Sequence, residues 1–295
     1  MSKGSSARGI VAYLVLSFGI AWGSWFLLLP NAVGDHRLFT LYALPGAFAP
    51  AIATFVVRKW ITREGFADAG LGLHLRHWGY YPIAWLIPCV VIAFIALVAA
   101  PLGFKGPDFS LAAGLAQLAP HGGISPAFAR VAWYAVPLGV FFAAPLMMPL
   151  LFGEEFGWRG YLQIRLFAER PTLAAVATGI IWGLWHLPII FRGDEFHGDS
   201  SAAAIAVFCV GTIMISIIFG WLRYRSGSVW VTSLAHAATN MIGGSLTALW
   251  FPDRATALIL GYIGLVGWVP LGLICALIIV FEPRDRADDR EGAPL

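Results

Sequence analysis

The chain has 295 residues, of which 59% are hydrophobic and 12% charged, with a formal charge of +3. Soluble domains carry about 25% charged residues, so this composition excludes an ordinary soluble globule and fits a polytopic membrane protein, where length is a poor guide to domain number. The small net charge gives no sign of a nucleic-acid partner, and three cysteines (Cys89, Cys209, Cys275), all in apolar runs without metal-like spacing, read as packing residues.

About 20 apolar residues are needed to cross roughly 30 Å of hydrocarbon. Eight runs reach that length: about 9–30, 38–57, 80–103, 131–153, 172–191, 202–222, 228–250 and 257–281. The expected fold class is all-α: a polytopic transmembrane helix bundle of about eight spans, one membrane-embedded domain over 1–281. The first run follows Lys3 and Arg8 and lacks a small-residue cleavage site, so it reads as a retained span rather than a removed signal peptide. Residues 104–130 form the longest loop, carrying Lys105, Asp108, Pro120, His121, Gly122 and Gly123, and its stretch 109–119 suits the membrane interface. Around 150–170 the fourth run grades into a half-polar helix. Residues 282–295 are a polar tail, expected to be disordered and cytoplasmic.

Charge gives the orientation. Of the 19 lysines and arginines, 14 fall on the side of the termini and five (Arg37, Lys105, Arg130, Arg192, Arg254) on the other. The positive-inside rule then predicts a multi-pass protein of the plasma membrane with both termini cytoplasmic. Ala, Gly and Arg usage hints at a bacterial source.

Residues 131–152 carry no charge, and then Glu154, Glu155 and Arg159 arrive together. A charge at bilayer depth costs about 3 kcal/mol on insertion scales, so a chain that accepts it twice in two residues is expected to use those groups. Glu155 and Arg159 share a helical face and can pair. Glu154 points about 100° away and needs another partner. Pro145 and Pro149 can kink the helix just before the carboxylates, and Gly153 with Gly157 lets another backbone approach. Two histidines also fall inside apolar runs: His186, a turn from Trp182 and Trp185, and His236, with Asn240 four residues on. Intramembrane polar groups normally face the bundle interior, so the fourth, fifth and seventh runs are expected to converge at these side chains.

Each residue also has a plainer reading. A lone transmembrane His is more often a hydrogen-bond partner between helices than a catalyst, an Asn can be glue between helices, and Glu155–Arg159 can be a clamp. His36, His74, His77, His121 and His197 lie in loops or at run ends and carry little signal. The joint occurrence of the others is what points to function.

The order Glu-Glu-xxx-Arg, aromatic-xxx-His and His-xxx-Asn resembles the CPBP family. That family contains the type II CAAX prenyl endopeptidases and the bacterial bacteriocin-processing and immunity (Abi) proteins. Glu154, Glu155 and Arg159 match the first motif, followed by the usual Gly160-Tyr161-Leu162; Trp182 and His186 match the second, with Trp where Phe is usual; His236 and Asn240 match the third. The resemblance covers about 130–245. It implies an intramembrane endopeptidase acting near the cytoplasmic leaflet on a peptide or protein substrate, a prenylated one among the options. Glu154 and His186 would activate a water, His236 and Asn240 would form an oxyanion hole, and Glu155 and Arg159 would support the site. No cofactor is favoured. Zinc held by Glu154, His186 and His236 is the alternative, since Glu and two His are a legitimate zinc set, although no His-Glu-xx-His helix is present. Rival readings from other classes are a transporter using the same groups as a proton relay and a non-proteolytic immunity scaffold.

One feature fits poorly. Counted from the expected cytoplasmic ends at 1.5 Å per residue, Glu154 is shallow, His236 about 12 Å deep and His186 about 21 Å.

Overall fold

The computed structural model of the chain describes residues 3–32, 36–118, 124–193, 195–196 and 199–281. The tail 282–295, with Pro120, His121, Gly122, Gly123 and His197 of the loops, lies outside the described residues. Among the described residues every regular element is a helix.

Helices α1 (Lys3–Leu28), α2 (His36–Ala47) and α3 (Ala49–Val56) come first, and α3 runs on into a π turn, Val57–Ile61. Then follow α4 (Tyr80–Val98), the short α5 (Ala112–Leu118) and the long α6 (Pro126–Gly157), which is prolonged by a second π turn, Trp158–Leu162. Helices α7 (Pro171–Trp185) and α8 (Leu187–Phe191) share one apolar run, and α9 (Ala202–Ser226) occupies the next. Helix α10 (Val229–Ala238), a third π turn (Thr239–Ser245) and α11 (Leu246–Trp250) make up the following run, and α12 (Ala257–Leu260) and α13 (Trp268–Phe281) the last.

Five helices are long and apolar enough to cross a bilayer: Ala7–Asn31, Leu38–Ile61, Tyr80–Val98, Pro126–Leu162 and Ala202–Ser226. Pro171–Trp185 and Trp268–Phe281 are apolar but shorter. The chain is an all-α polytopic membrane bundle.

Local chemistry explains most boundaries. Ser125, Ser201 and Ser228 cap α6, α9 and α10, each Oγ accepting from a backbone N–H two or three residues on. Gly227, at φ 75°, ends α9 in the left-handed conformation. The α7–α8 run breaks at His186 because Pro188 has no N–H to continue the ladder and disfavours helix before it; there the His186 N–H turns back to Gly183 O at 3.2 Å.

Two boundaries differ from the sequence expectation. The last run, 257–281, is not one helix. Gly261, Gly264 and Gly267 let the backbone double back, so that Leu265 N–H donates to Leu258 O and Val266 N–H to Ile259 O. The fourth run does not stop near 153 but stays helical to Leu162, because Glu155 and Arg159 neutralise each other inside it at 2.9 Å. Glu154 is therefore about 12 Å from the helix end at 1.5 Å per residue, close to the depth of His236 counted from Val229. The expected mismatch between those two disappears.

Helix α6 packs between α3 and α10, and α7 lies along α9. The closeness of α3 depends on the small residues ahead of the charged motif: a Cβ on Gly153 would meet Phe48 Cδ1 at 2.9 Å, and one on Gly157 would meet Pro50 C at 2.8 Å and Tyr13 Oη at 2.7 Å. A connector from 62 to 79 joins α3 to α4 and crosses the ends of α6, α9 and α10. Arg223 Nη2 donates to Asp68 O at 2.8 Å, Val229 N–H to Gly70 O at 2.9 Å, and Trp230 Nε1 to Leu71 O at 2.8 Å. Gly70 sits at φ 72°, and any Cβ there would strike the Arg223 guanidinium at 2.6 Å.

Two stability predictions follow from this packing. Gly157→Ala forces α3 away from α6, which costs about 1–3 kcal/mol and outweighs the roughly 1 kcal/mol that Ala gains over Gly in a helix; the thermal midpoint of the purified protein should fall. In the connector, burial pushes the Asp68 carboxyl up, but the hydrogen bond and charge of Arg58, with the charge of Arg165, hold it below its ordinary value of 3.8. A depressed carboxyl contributes stability above its unfolded value and loses it as pH falls through its folded value. Asp68→Asn should therefore be less stable than wild type at neutral pH, and the gap should close as pH drops below about 3.8, read by melting curves across pH.

Candidate active site

The expected site residues meet around one indole. Trp182, buried on α7, donates from Nε1 to Glu154 Oε2 at 2.8 Å. Its carbonyl accepts from His186 Nδ1 at 2.9 Å. Its ring lies 5.7 Å from the His186 ring and 5.1 Å from the His236 ring, both edge to face. The Arg159 guanidinium stacks over the same indole at 4.8 Å and over Phe219 at 5.0 Å. The sequence marked Trp182 as a wall of the His186 pocket; the structure makes it the common partner of four site residues.

Glu154 and Glu155, though adjacent, have separate environments. Glu155 is fully buried, and its Oε1 accepts from Arg159 Nη1 and His236 Nδ1, both at 2.9 Å. Glu154 is 7% exposed; Oε2 takes the Trp182 bond and a longer one from Trp158 Nε1 at 3.4 Å. Its Oε1 makes no hydrogen bond among the described residues. One carboxylate is thus committed to two cationic or potentially cationic partners, and the other keeps a free oxygen.

The histidine bonds fix their tautomers. A carbonyl oxygen only accepts, so His186 carries its proton on Nδ1 and presents the Nε2 lone pair. A carboxylate likewise only accepts, so His236 carries a proton on Nδ1. His236 is buried at 3% exposure, and His186 is half-buried at the α7–α8 break. Asn240 is exposed in the π turn after α10, and its side chain makes no hydrogen bond among the described residues. The structure therefore gathers Glu154, Glu155, Arg159, His186 and His236 about Trp182, with Asn240 one turn beyond His236.

Three contributors escaped the sequence reading. Trp158 lies between the two carboxylates and Arg159 on the same helix and packs edge to face on Trp185 at 5.6 Å. Phe208 of α9 lies 5.0 Å from the His186 ring. Helix α1, outside the motif-bearing core, supplies Trp25 at 6.5 Å from His186, and Trp22, whose Nε1 donates to Trp185 O at 2.9 Å at the end of α7. Trp22 and Trp25 sit on α1 at i and i+3, one helical face, and that spacing was the available signal.

The donor types suit zinc: a carboxylate oxygen and two imidazole Nε2 atoms. As they stand, however, no three His, Cys, Asp or Glu side chains among the described residues converge on one point where an ion would sit.

Fold and site define an integral-membrane helix bundle that holds carboxylate, guanidinium and imidazole groups together at depth. Residues 130–242 match the family model described as Type II CAAX prenyl endopeptidase Rce1-like. A CAAX prenyl protease 2 from Methanococcus maripaludis is 25% identical over 240 residues, which cover 78% of this chain and 82% of that protein. The resemblance read from the three motifs is borne out: the chain is similar to the type II CAAX prenyl endopeptidases of the CPBP family.

The geometry assigns Arg159 to support. Arg159→Ala would strand Glu155 in a buried pocket, a loss of about 3–5 kcal/mol for a broken buried pair. The yield of monodisperse protein and the thermal midpoint should fall at least as far as specific activity. A well-folded, wholly inactive Arg159→Ala would instead put the arginine in the chemistry.

Proposed function

We propose that the chain is an intramembrane endopeptidase that hydrolyses a peptide bond near the cytoplasmic leaflet, with both termini cytoplasmic, through a water activated by Glu154 and His186. The family match and the CAAX prenyl protease relative support the protease class. The observation that carries the mechanism is the asymmetry of Glu154: one oxygen is anchored by the Trp182 indole and the other makes no hydrogen bond among the described residues, while His186, held by the same residue's carbonyl, keeps its Nε2 lone pair free.

Those two acceptors can take the two hydrogens of one water, leaving an oxygen lone pair for the scissile carbonyl. Glu154 removes a proton as the C–O bond forms, giving a tetrahedral oxyanion and a neutral carboxylic acid. Glu154 then returns the proton to the amide nitrogen, the C–N bond breaks, and a carboxyl and an amine product leave. Anchoring Oε2 keeps Oε1 aimed, which is preorganisation rather than added affinity.

His236 and Asn240 fit the oxyanion role. With Nδ1–H held by Glu155, His236 can donate from Nε2 only as imidazolium, and Glu155 at 2.9 Å is its counter-charge. In that state two carboxylates, Arg159 and His236 sum to zero, a tolerable total at low dielectric. The exposed Asn240 can turn its amide to the same oxyanion once substrate arrives. The substrate is a peptide or protein segment lying in or on the bilayer, and a prenylated C-terminus is the form suggested by the relative's name.

Glu154→Gln is nearly isosteric but cannot take a proton. It should abolish turnover of a prenylated CAAX peptide while substrate binding persists. Asn240→Ala should lower kcat by about 10²–10³, the cost of one oxyanion donor. Activity should survive dialysis against a strong chelator; loss restored only by zinc would convert Glu154, His186 and His236 into ligands. Full activity in Glu154→Gln would remove both versions and bring forward the transporter or scaffold readings.

A further inference from the structure

Arg58 belongs to none of the three motifs, yet it shares with Arg159 the distinction of a wholly buried guanidinium among the described residues. It lies in the π turn after α3. Nη1 donates to Gly65 O and, at 2.7 Å, to Asp68 Oδ1, while Nη2 donates to Gly160 O at 3.0 Å. The planar group sits over Phe66 and Tyr161, 5.4 Å from each ring centroid. Arg58 thus reaches the residue next to Arg159 from a different helix.

The bond to Gly160 completes the end of the site helix. Backbone bonds leaving the second π turn run to Trp158 O and Leu162 O. Two of the carbonyls between are covered by side chains: Gly160 O by Arg58, and Tyr161 O by Arg165 Nη1 at 3.1 Å. Two guanidinium groups at a helix C-terminus also complement its dipole. Asp68 links the two, since its Oδ2 accepts from Arg165 Nη2 at 3.1 Å. The main chain at 68–71 is in turn held by Arg223 at the end of α9 and by Val229 and Trp230 at the start of α10. One chain of bonds therefore runs from the end of α6, which carries Glu155, to the start of α10, which carries His236.

We propose that Arg58 is a positioning residue for the site. Through Gly160 and Asp68 it sets the height of α6 against α10 and so holds the 2.9 Å contact between Glu155 and His236. Only its effect on rate rests on the protease reading; its effect on the contact does not. A lysine can replace it only in part, because one ammonium lacks the planar fork that reaches three acceptors and lies against two rings.

The test uses the purified full chain in lipid nanodiscs as wild type, Arg58→Lys, Arg58→Gln, Asp68→Asn and Glu154→Gln. Two quantities are read: hydrolysis of a fluorogenic farnesylated CAAX peptide, and the His236 Nδ1–H NMR resonance, assigned by its loss in His236→Gln. Arg58→Gln should lower kcat by about 10²-fold, the scale of an ångström-level displacement, with KM little changed and the resonance shifted or broadened. Arg58→Lys should fall between it and wild type, and Asp68→Asn should move both readouts the same way by less, since Asp68 is 54% exposed. If Arg58→Gln does not fold, the milder Asp68→Asn decides. Folded variants with wild-type kcat and an unmoved resonance overturn the proposal, and so does a loss confined to KM, which would make Arg58 a substrate contact. If wild type cleaves nothing, the protease reading fails, while the resonance still decides the positioning role.

Discussion

Everything about the site follows from keeping Glu155 charged where water does not reach. A buried carboxylate without partners costs several kcal/mol, and here a single oxygen collects both available partners, Arg159 from its own helix and His236 from α10. Arg159 in turn spends its flat faces on Trp182 and Phe219 rather than on a second carboxylate. The cluster therefore ties α6, α7, α9 and α10 together through one charge. Glu154 is left outside that arrangement, and only for that reason does it have an oxygen to offer.

The sequence made the architecture legible because lipid allows few alternatives. A segment in hydrocarbon must satisfy its own backbone, so apolar runs of 20 residues become helices, and the runs lie where the helices are. The site residues were legible for a related reason: polar groups that cost so much to bury are few, and five of the six gather about one indole. What could not be read was backbone irregularity. The three π turns follow Val56, Gly157 and Ala238, with no residue there that forbids an ordinary α turn; at the second, a tertiary bond from Arg58 takes up the Gly160 carbonyl. The same blindness placed the end of the fourth run at 153, since a hydropathy window counts Glu155 and Arg159 as two charges and the folded helix contains a pair. At the last run the signal was present in Gly261, Gly264 and Gly267, but apolarity outweighed it.

Trp182 shows how a position that reads as packing can acquire a polar duty. The family motif places Phe here, and a Phe would fill the space between the histidines equally well. The indole adds an N–H, and that N–H points at Glu154 Oε2 from 2.8 Å. In this chain the orientation of the proposed base is therefore set by the aromatic residue of the neighbouring motif, one turn before His186, whose Nδ1 is bound to the same residue's carbonyl. Base and histidine are both referenced to a single side chain and its backbone, so a shift of α7 would carry both partners of the proposed water together.

That common reference also bears on the depth of the site. His186 lies a turn further along α7 than Trp182, and the length from Pro171 puts it about 22 Å from that helix's start at 1.5 Å per residue. Glu154 and His236 are nearer their own helix ends by roughly half that distance. The indole bridges the remainder sideways, its N–H on one helix's carboxylate and its backbone oxygen on the imidazole. At the break between α7 and α8 the His186 ring is walled by Trp25, Trp185 and Phe208. The result is a site that is polar on the side of α6 and α10 and aromatic on the side of α1 and α9. A peptide carrying a lipid or an apolar side chain would meet both surfaces at once, the carbonyl toward the charges and the apolar group toward the rings. Such a division needs α1 as much as the motif-bearing helices, which is why residues 130–242 hold the charges of the site but not all of its wall.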